Sequence, residues 1–423
     1  MEYFLEIIMY LFVFSLCVSK VGINALGAIF VITSFGYLIK KRMLKKYVKK
    51  SSVGYFFLVI FIVGVLLNAA SLGGLKSAVN YLSRNFYFLF IPGLSFIFEK
   101  NKTREKMEYI LIASLFLGII KSIYNFKVNY NFEYNKFLRL ESFFSIMRWG
   151  SVLMFVMLFL LPKLFDKKID VKIKITLRII WALGLFSLIL NNSRGPWLAL
   201  FIGVLFYLLV YNKKILVSSI FLIIISFLCL KTTHENGYNL FKNKIYSISD
   251  TKSDYSNKGR LEMWKRNLEF ASYNFREDKR TFFLGTGFRN FEGIFKTYIK
   301  NIGLYEEVQI NTKNNFSFSD SHNSYLMVLN QMGIIYFMMF WGYLMYLLYK
   351  LFLESLEKED DTIKGVLLAS VGFLVCGIFY GYIFTYEMFT YFILLYMYIL
   401  IPKQDSLKNK VKNIEIIYKE RKV

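Results

Sequence analysis

Charge, proline and histidine are all scarce in this chain. Of its 423 residues only 19% are charged, four are proline and two are histidine, whereas an ordinary soluble domain has about 25% charged residues. With 56% hydrophobic and 19% aromatic residues, this composition excludes a soluble globular protein. Apolar runs of about 20 residues recur along the chain, and such runs are typical of helices that cross a membrane. The composition predicts a polytopic membrane protein.

Cysteine is too sparse for a disulfide framework or a zinc site. Cys17, Cys229 and Cys376 lie far apart, each within an apolar run, and form no Cys-x-x-Cys pair. We interpret them as small hydrophobic side chains. The segment Met1–Glu6 is acidic and has no small-residue cleavage site. We therefore expect Phe4–Ser19 to be a first span and not a removable signal peptide.

The apolar runs predict about twelve membrane spans. Each is expected to be helical, because backbone polar groups in hydrocarbon must be satisfied within the segment. The predicted spans cover 3–19, 21–39, 53–71, 79–98, 107–124, 146–162, 175–193, 196–211, 214–231, 325–350, 364–384 and 386–401.

Lysine-rich segments set the predicted orientation. Lys40–Lys50 has seven basic residues and no acid, which places it in the cytoplasm by the positive-inside bias. Alternation from there puts both termini inside and the segments 71–78, 125–145 and 232–321 outside. The predicted fold is all-α: spans 1–9 in residues 1–231, a large extracytoplasmic loop at 232–321, spans 10–12 in residues 322–402, and a basic cytoplasmic tail at 403–423.

Metal and nucleotide motifs are absent from the sequence. No Asp-x-Asp pair lies on the predicted outer side, Asp360-Asp361 falls on the cytoplasmic side, and no P-loop glycine motif is present. This disfavours an enzyme that uses a nucleotide sugar in the cytoplasm. The net charge of +24 does not indicate nucleic acid, because the basic residues cluster between apolar runs and suit loops that face anionic lipid.

The long polar segment is predicted to be partly folded. Within 259–275, five apolar side chains recur at helical spacing and predict an amphipathic helix on the membrane surface or on the bundle. The segment 284–288, Leu-Gly-Thr-Gly-Phe, is typical of a tight turn. The five side chains are Leu261, Trp264, Leu268, Ala271 and Phe275.

His322 lies where this polar segment meets the tenth span. Asp320 or Ser321 is predicted to cap that helix, which puts His322 in its first turn. The positive end of the helix dipole there favours a neutral ring that can act as a base. The structural alternative is an interfacial histidine that only hydrogen-bonds to loop residues.

Arg194 stands between the seventh and eighth spans, in the sequence Asn-Asn-Ser-Arg-Gly-Pro. An arginine at this depth is costly unless paired or hydrated, and its guanidinium matches phosphate oxygens with two parallel hydrogen bonds. The alternative is an arginine that reaches lipid headgroups. Further arginines fall on the predicted outer side, and their convergence on one pocket would suit a pyrophosphate: Arg84, Arg139, Arg148, Arg260 and Arg289.

In combination these motifs resemble the bacterial O-antigen ligase and O-antigen polymerase superfamily. The resemblance covers about 138–340 and rests on Ser193-Arg194-Gly195, Gly259-Arg260 with Trp264, the turn at 284–288, and His322-Asn323 opening a span. It implies a GT-C-like membrane glycosyltransferase that needs no metal or other cofactor and inverts the sugar configuration. The implied donor is a glycan on undecaprenyl pyrophosphate, used at the outer face of the bacterial inner membrane.

The resemblance also implies roles for single residues and partners. Arg194, Arg260 and His322 would form the catalytic set, the arginines on the pyrophosphate and the histidine on the acceptor hydroxyl. The acceptor would be a glycan or a lipid A-core, with membrane lipids as partners, no nucleic acid, and a chain-length regulator left open. The candidates for substrate binding are Arg84, Arg139, Arg148, Arg289 and Asn323.

One departure from the family pattern leaves two reactions open. Ligases of this family commonly follow the His-Asn pair, after nine residues, with Gly-x-x-Gly. Here Gly333 is in place, but Tyr336 occupies the second position. Ligase and polymerase therefore both stay open.

Other protein classes also fit parts of the pattern. Twelve spans with both ends inside suit a transporter or flippase for lipid-linked glycan, although no internal repeat is detectable. A membrane scaffold whose outer loop binds a partner is the third interpretation.

Overall fold

A computed structural model describes residues 1–99, 101–133, 138–216, 255–381 and 387–400, together with the single residues 239, 242, 243 and 246. Over these ranges the chain is helical and contains no β-strand. The helices are α1 (Glu2–Val18), α2 (Lys20–Lys40), α3 (Leu44–Lys49), α4 (Ser52–Ala70), α5 (Gly74–Asn85), α6 (Phe90–Ile97), α7 (Asn101–Tyr130), α8 (Ile146–Leu160), α9 (Val171–Asn191), α10 (Arg194–Tyr211), α11 (Tyr255–Glu277), α12 (Lys279–Leu284), α13 (Phe291–Asn301), α14 (Tyr305–Thr312), α15 (Ser324–Glu357), α16 (Asp361–Phe379) and α17 (Glu387–Ile399).

The predicted class of polytopic, all-helical membrane protein is confirmed. By length and composition, seven of the described helices can cross a membrane: α2, α4, α7, α9, α10, α15 and α16. Helices α8 and α17 are apolar but shorter. The predicted ninth span, 214–231, lies almost wholly outside the described residues, and the tail at 403–423 lies entirely outside them, so the total of twelve spans stays a prediction.

The predicted fourth span, 79–98, is wrong as a single helix. The chain forms α5, then a short 3-10 turn, then α6. The Asn85 side chain donates to the carbonyl of Tyr81 (2.9 Å) and accepts from the Tyr87 hydroxyl (2.9 Å), and such local bonds compete with a continuous helix. Pro92 then falls in the first turn of α6, where its missing N–H is not needed.

Helix α8 lies at the centre of the bundle. Its side chains from Trp149 to Leu160 are all buried, against α9, α10, α16 and α17. The indole N–H of Trp149 donates to the hydroxyl of Ser187 in α9 (3.1 Å), so this polar atom is satisfied inside the apolar interior. The first turn of α8 is thereby held in place among the surrounding helices.

Helices α11 to α14 form a unit, here called the loop module (residues 255–320), with its own core of Met263, Phe270, Phe291, Phe295, Ile299, Val308 and Phe316. The predicted amphipathic helix is confirmed as α11. Of its two predicted settings, the bundle contacts Trp264, whose ring centroid lies 6.3 Å from that of Phe379, and the membrane surface stays a prediction for the exposed side chains of the stripe. Leu261, Leu268 and Phe275 are 44%, 55% and 55% exposed. The opposite side is buried because α13 supplies the aromatic partners of Phe270 there.

The loop module is joined to α15 through backbone groups. The N–H groups of Thr286 and Gly287 donate to the carbonyls of Asn330 and Gln331, each at 3.0 Å. These carbonyls are released because α15 is kinked at Gly333, which has φ 77° and ψ 169° inside the helix. Within the predicted tight turn at 284–288 these N–H groups pair with α15 instead, and the turn hydrogen bond lies further along the chain, from the N–H of Asn290 to the carbonyl of Gly287 (3.0 Å).

Candidate functional site

A cavity of about 450 Å³ collects five of the eight predicted site residues. These are Arg139, Arg148, Arg194, Arg260 and His322. The other lining residues include Asn192, Ser193, Asp320, Tyr380 and Glu387. The four arginines outnumber the two carboxylates, so the cavity has an excess of positive charge and suits an anion.

The cavity lies where several helices start. Arg148 is in the first turn of α8 and Arg194 is the first residue of α10, while His322 comes just before α15. Helix N-termini present free N–H groups and the positive end of the helix dipole. Backbone and side chains therefore favour negative charge at the same place.

Arg194 connects α10 to the loop module. Its Nη1 donates to Oδ1 of Asn257 in α11 (2.9 Å). Next to it, the ring of Tyr380 packs on Gly195, and the guanidinium carbon of Arg260 lies 5.8 Å from the centroid of the same ring, within cation–π range. Burial raises the pKa of the Tyr380 phenol, so the ring is neutral beneath the cation.

The predicted capping arrangement at His322 is wrong. Asn323 is the cap: its Oδ1 accepts from the N–H groups of Tyr325 (2.9 Å) and Leu326 (3.0 Å). His322 therefore lies before the helix, with a left-handed φ of 47°, and not in its first turn. Asp320, Ser321 and Asn323 are all residue types that can cap a helix, and the sequence alone did not decide between them.

Asp320 orients His322 instead of capping the helix. Its Oδ1 accepts from the backbone N–H of His322 (2.8 Å), and its Oδ2 lies 3.5 Å from Nδ1 of the ring. That second distance is long for a hydrogen bond but close enough for electrostatic attraction. The arrangement leaves Nε2 as the ring nitrogen available to a substrate hydroxyl.

Glu387 was missed as a site residue. Its side chain is only 3% exposed, and Oε1 lies 3.9 Å from Nε of Arg148. The sequence carried a signal for it, because an ionisable residue inside a predicted span, here 386–401, is a candidate functional residue by default. Tyr380 was also missed, and its role depends on tertiary contacts that no local pattern reveals.

Three predicted site residues do not line the cavity. Arg84 is in the last turn of α5, and Asn323 caps α15. Arg289 is exposed, and its guanidinium carbon lies 5.8 Å from the centroid of the Phe288 ring. The structure thus separates these three from the group of arginines around His322.

Comparison with known families gives one further finding. Residues 179–341 match the family described as O-antigen ligase. The matched segment contains Arg194, Arg260 and His322, whereas Arg139, Arg148 and Glu387 lie outside it. A search of curated proteins finds no match.

Proposed function

We propose that this chain, as a member of the O-antigen ligase and O-antigen polymerase superfamily matched over residues 179–341, transfers glycan from undecaprenyl pyrophosphate to a sugar hydroxyl. The acceptor is a lipid A-core if the reaction is ligation, or another glycan if it is polymerisation. Both reactions form the same kind of bond, and the cavity serves either one.

The convergence of four arginines and His322 on one cavity carries this proposal. When the bond from the sugar to the pyrophosphate breaks, negative charge grows on the leaving oxygen. Preorganised cations stabilise that charge most where it develops, and each charged hydrogen bond contributes about 1.5–3 kcal/mol. Arg194 and Arg260 are assigned to the pyrophosphate, with Arg139 and Arg148 completing the anion site.

His322 is assigned to the acceptor. Nε2 takes the proton of the acceptor hydroxyl. The oxygen of that hydroxyl attacks the anomeric carbon of the donor sugar from the face opposite the pyrophosphate. One C–O bond forms, the bond to the pyrophosphate breaks, and the configuration inverts. The Asp320 carboxylate near Nδ1 holds the ring for this step, as in other carboxylate–histidine pairs.

The proposed reaction uses arginine side chains, and no metal ion, to neutralise the leaving group. In the described ranges, no three His, Cys, Asp or Glu side chains form a group that could hold a metal ion.

We place the cavity at the outer face of the inner membrane, with both termini cytoplasmic. Helix α4 supports this arrangement, since it spans 19 residues between the lysine-rich segment 40–50 and the loop module. At its far end the carbonyl of Ala70 accepts from Arg280 of α12 (2.9 Å). If these lysines face the cytoplasm, the loop module and the cavity beside it face outward.

A deletion strain complemented with variants tests the function. Wild-type protein is expected to restore long-chain surface glycan, and Arg194→Ala and His322→Ala are expected not to, while the inactive strain collects lipid-linked glycan on the outer side. Finished chains on the carrier would indicate a ligase, and single repeat units a polymerase. Accumulation of lipid-linked glycan on the cytoplasmic side would instead favour a flippase. Unchanged surface glycan with His322→Ala would show that His322 has no catalytic role.

A further inference from the structure

Two adjacent asparagines end helix α9 just before Arg194. Asn191 and Asn192 are 0% and 3% exposed, and the φ of Asn192 is 59°, a left-handed value that asparagine tolerates. Their side-chain amides donate to the carbonyls of a different segment, residues 138–146. The hydrogen bonds run from Asn191 Nδ2 to the carbonyls of Leu140 (2.7 Å) and Ile146 (2.8 Å), and from Asn192 Nδ2 to that of Leu138 (2.8 Å).

Each accepting carbonyl lies within two residues of an arginine of the cavity in sequence. Leu138 and Leu140 flank Arg139 in sequence, so the backbone is held on both sides of that residue. Ile146 is the first residue of α8, two positions before Arg148. The turn that leads into Arg194 therefore fixes the two arginines that come from another part of the chain.

The segment 138–146 has further attachments that do not involve these amides. The N–H of Leu140 donates to the carbonyl of Leu190 (3.1 Å), and the Ser142 hydroxyl donates to the carbonyl of Gly118 in α7 (2.6 Å). These bonds keep the segment on the bundle. The three amide bonds hold the same segment at Leu138, Leu140 and Ile146, beside the two arginines.

We propose that Asn191 and Asn192 are positioning residues that hold Arg139 and Arg148 in register with Arg194 at the anion site. This inference rests on the proposed function, in which that site binds pyrophosphate. The asparagines do not touch the phosphates themselves in this scheme. They act through the two arginines.

A double-mutant cycle tests the positioning role of Asn191 and Asn192. It measures the binding of inorganic pyrophosphate to purified full-length protein in detergent, through the thermal stabilisation that the ligand gives. Asn192→Gly keeps the left-handed backbone and removes the amide, and it is expected to weaken binding about tenfold, equivalent to about 1.4 kcal/mol. With Arg139→Ala already present, Asn192→Gly is expected to change binding less than about twofold, because the residue it acts through is gone. Asn191→Ala with Arg148→Ala forms the second cycle. Losses that multiply, or wild-type binding in Asn192→Gly, overturn the positioning role.

A second measurement separates the failure modes. Hydrogen exchange of the 138–146 backbone is expected to rise at least about tenfold in Asn191→Ala without a comparable rise elsewhere, since only the local bonds are lost. Unchanged exchange overturns the positioning role alone. Wild-type protein that binds no pyrophosphate overturns the proposed function and the positioning role together. Asn85→Ala is the matched control, because Asn85 has an equally buried amide that donates to the carbonyl of Tyr81, away from the cavity. This substitution is expected to lower stability without changing pyrophosphate affinity.

Discussion

Gly195 lies so close to Tyr380 that a methyl group at position 195 would be 2.4 Å from Cε2 of the ring. Real side-chain carbons do not approach that closely, so the position requires glycine. The same ring lies beneath Arg260. Through this contact the start of α10, which carries Arg194, is set at a fixed distance from the arginine of α11.

Gly195→Ala is expected to displace Tyr380 and with it Arg260. The rate of glycan transfer should then fall by more than tenfold, because a misplacement of about 1 Å at a reacting centre lowers the rate by at least that factor. The measurement is transfer by the purified protein from a lipid-linked donor. Gly342→Ala in α15 is the matched control, because a methyl group there meets nothing within 4 Å. Equal activity of the two variants would remove the role of this contact.

His322→Asn is expected to reduce transfer by about 10²–10⁴-fold, the usual contribution of a general base. Asparagine tolerates the left-handed backbone at this position, so the fold is retained. Asp320→Asn keeps an acceptor for the His322 N–H but removes the negative charge beside Nδ1, and its activity should fall between those of wild type and His322→Asn. The initial rates of the three proteins check this order, and it fails if Asp320→Asn matches wild type.

Arg194→Ala is expected to lower transfer on the order of 10–100-fold, from the loss of roughly 1.5–3 kcal/mol of charged hydrogen bonding. Arg194→Lys should recover little of this, because a lysine keeps the charge but lacks the planar fork that fits phosphate. Arg276→Ala in the loop module is the control, since its guanidinium bonds to Ser272 of its own helix. Full recovery with lysine would show that only charge matters at position 194.

Gly333→Ala is expected to destabilise the protein more than Gly303→Ala. Both positions have a left-handed φ, 77° and 72°, so both substitutions carry backbone strain of about 1–3 kcal/mol. At position 333 the added methyl would also lie 2.3 Å from the carbonyl oxygen of Phe283, whereas at 303 it meets nothing within 4 Å. Thermal unfolding of the two variants in detergent gives the comparison. Equal unfolding midpoints would mean that the contact between position 333 and the carbonyl of Phe283 can relax without loss of stability.

Most of the apolar helices were predictable because crossing the hydrocarbon requires a long apolar run, although the predicted fourth span is divided into two helices. Arg194 and His322 were selected because they lie where apolar and polar chain meet, and Arg260 because it lies in the predicted outer loop. All three line one cavity. The orientation of α11 was not predictable, because it depends on which aromatic side chains of α13 lie opposite it. Arg84 and Arg289 were included because they fall on the predicted outer side of the membrane. A predicted side does not specify a position on that side, and neither residue lines the cavity.

Residues 288–319 leave and rejoin the helical bundle at two fixed points. At one end Thr286 and Gly287 are paired with α15, and at the other the Ser324 hydroxyl donates to the carbonyl of Tyr380 (2.5 Å). Between these points Phe291 and Phe295 pack on Phe270 of α11, so the core positions of the segment are tied to the helix that carries Arg260. Only the exposed positions of this segment can therefore vary without disturbing α11.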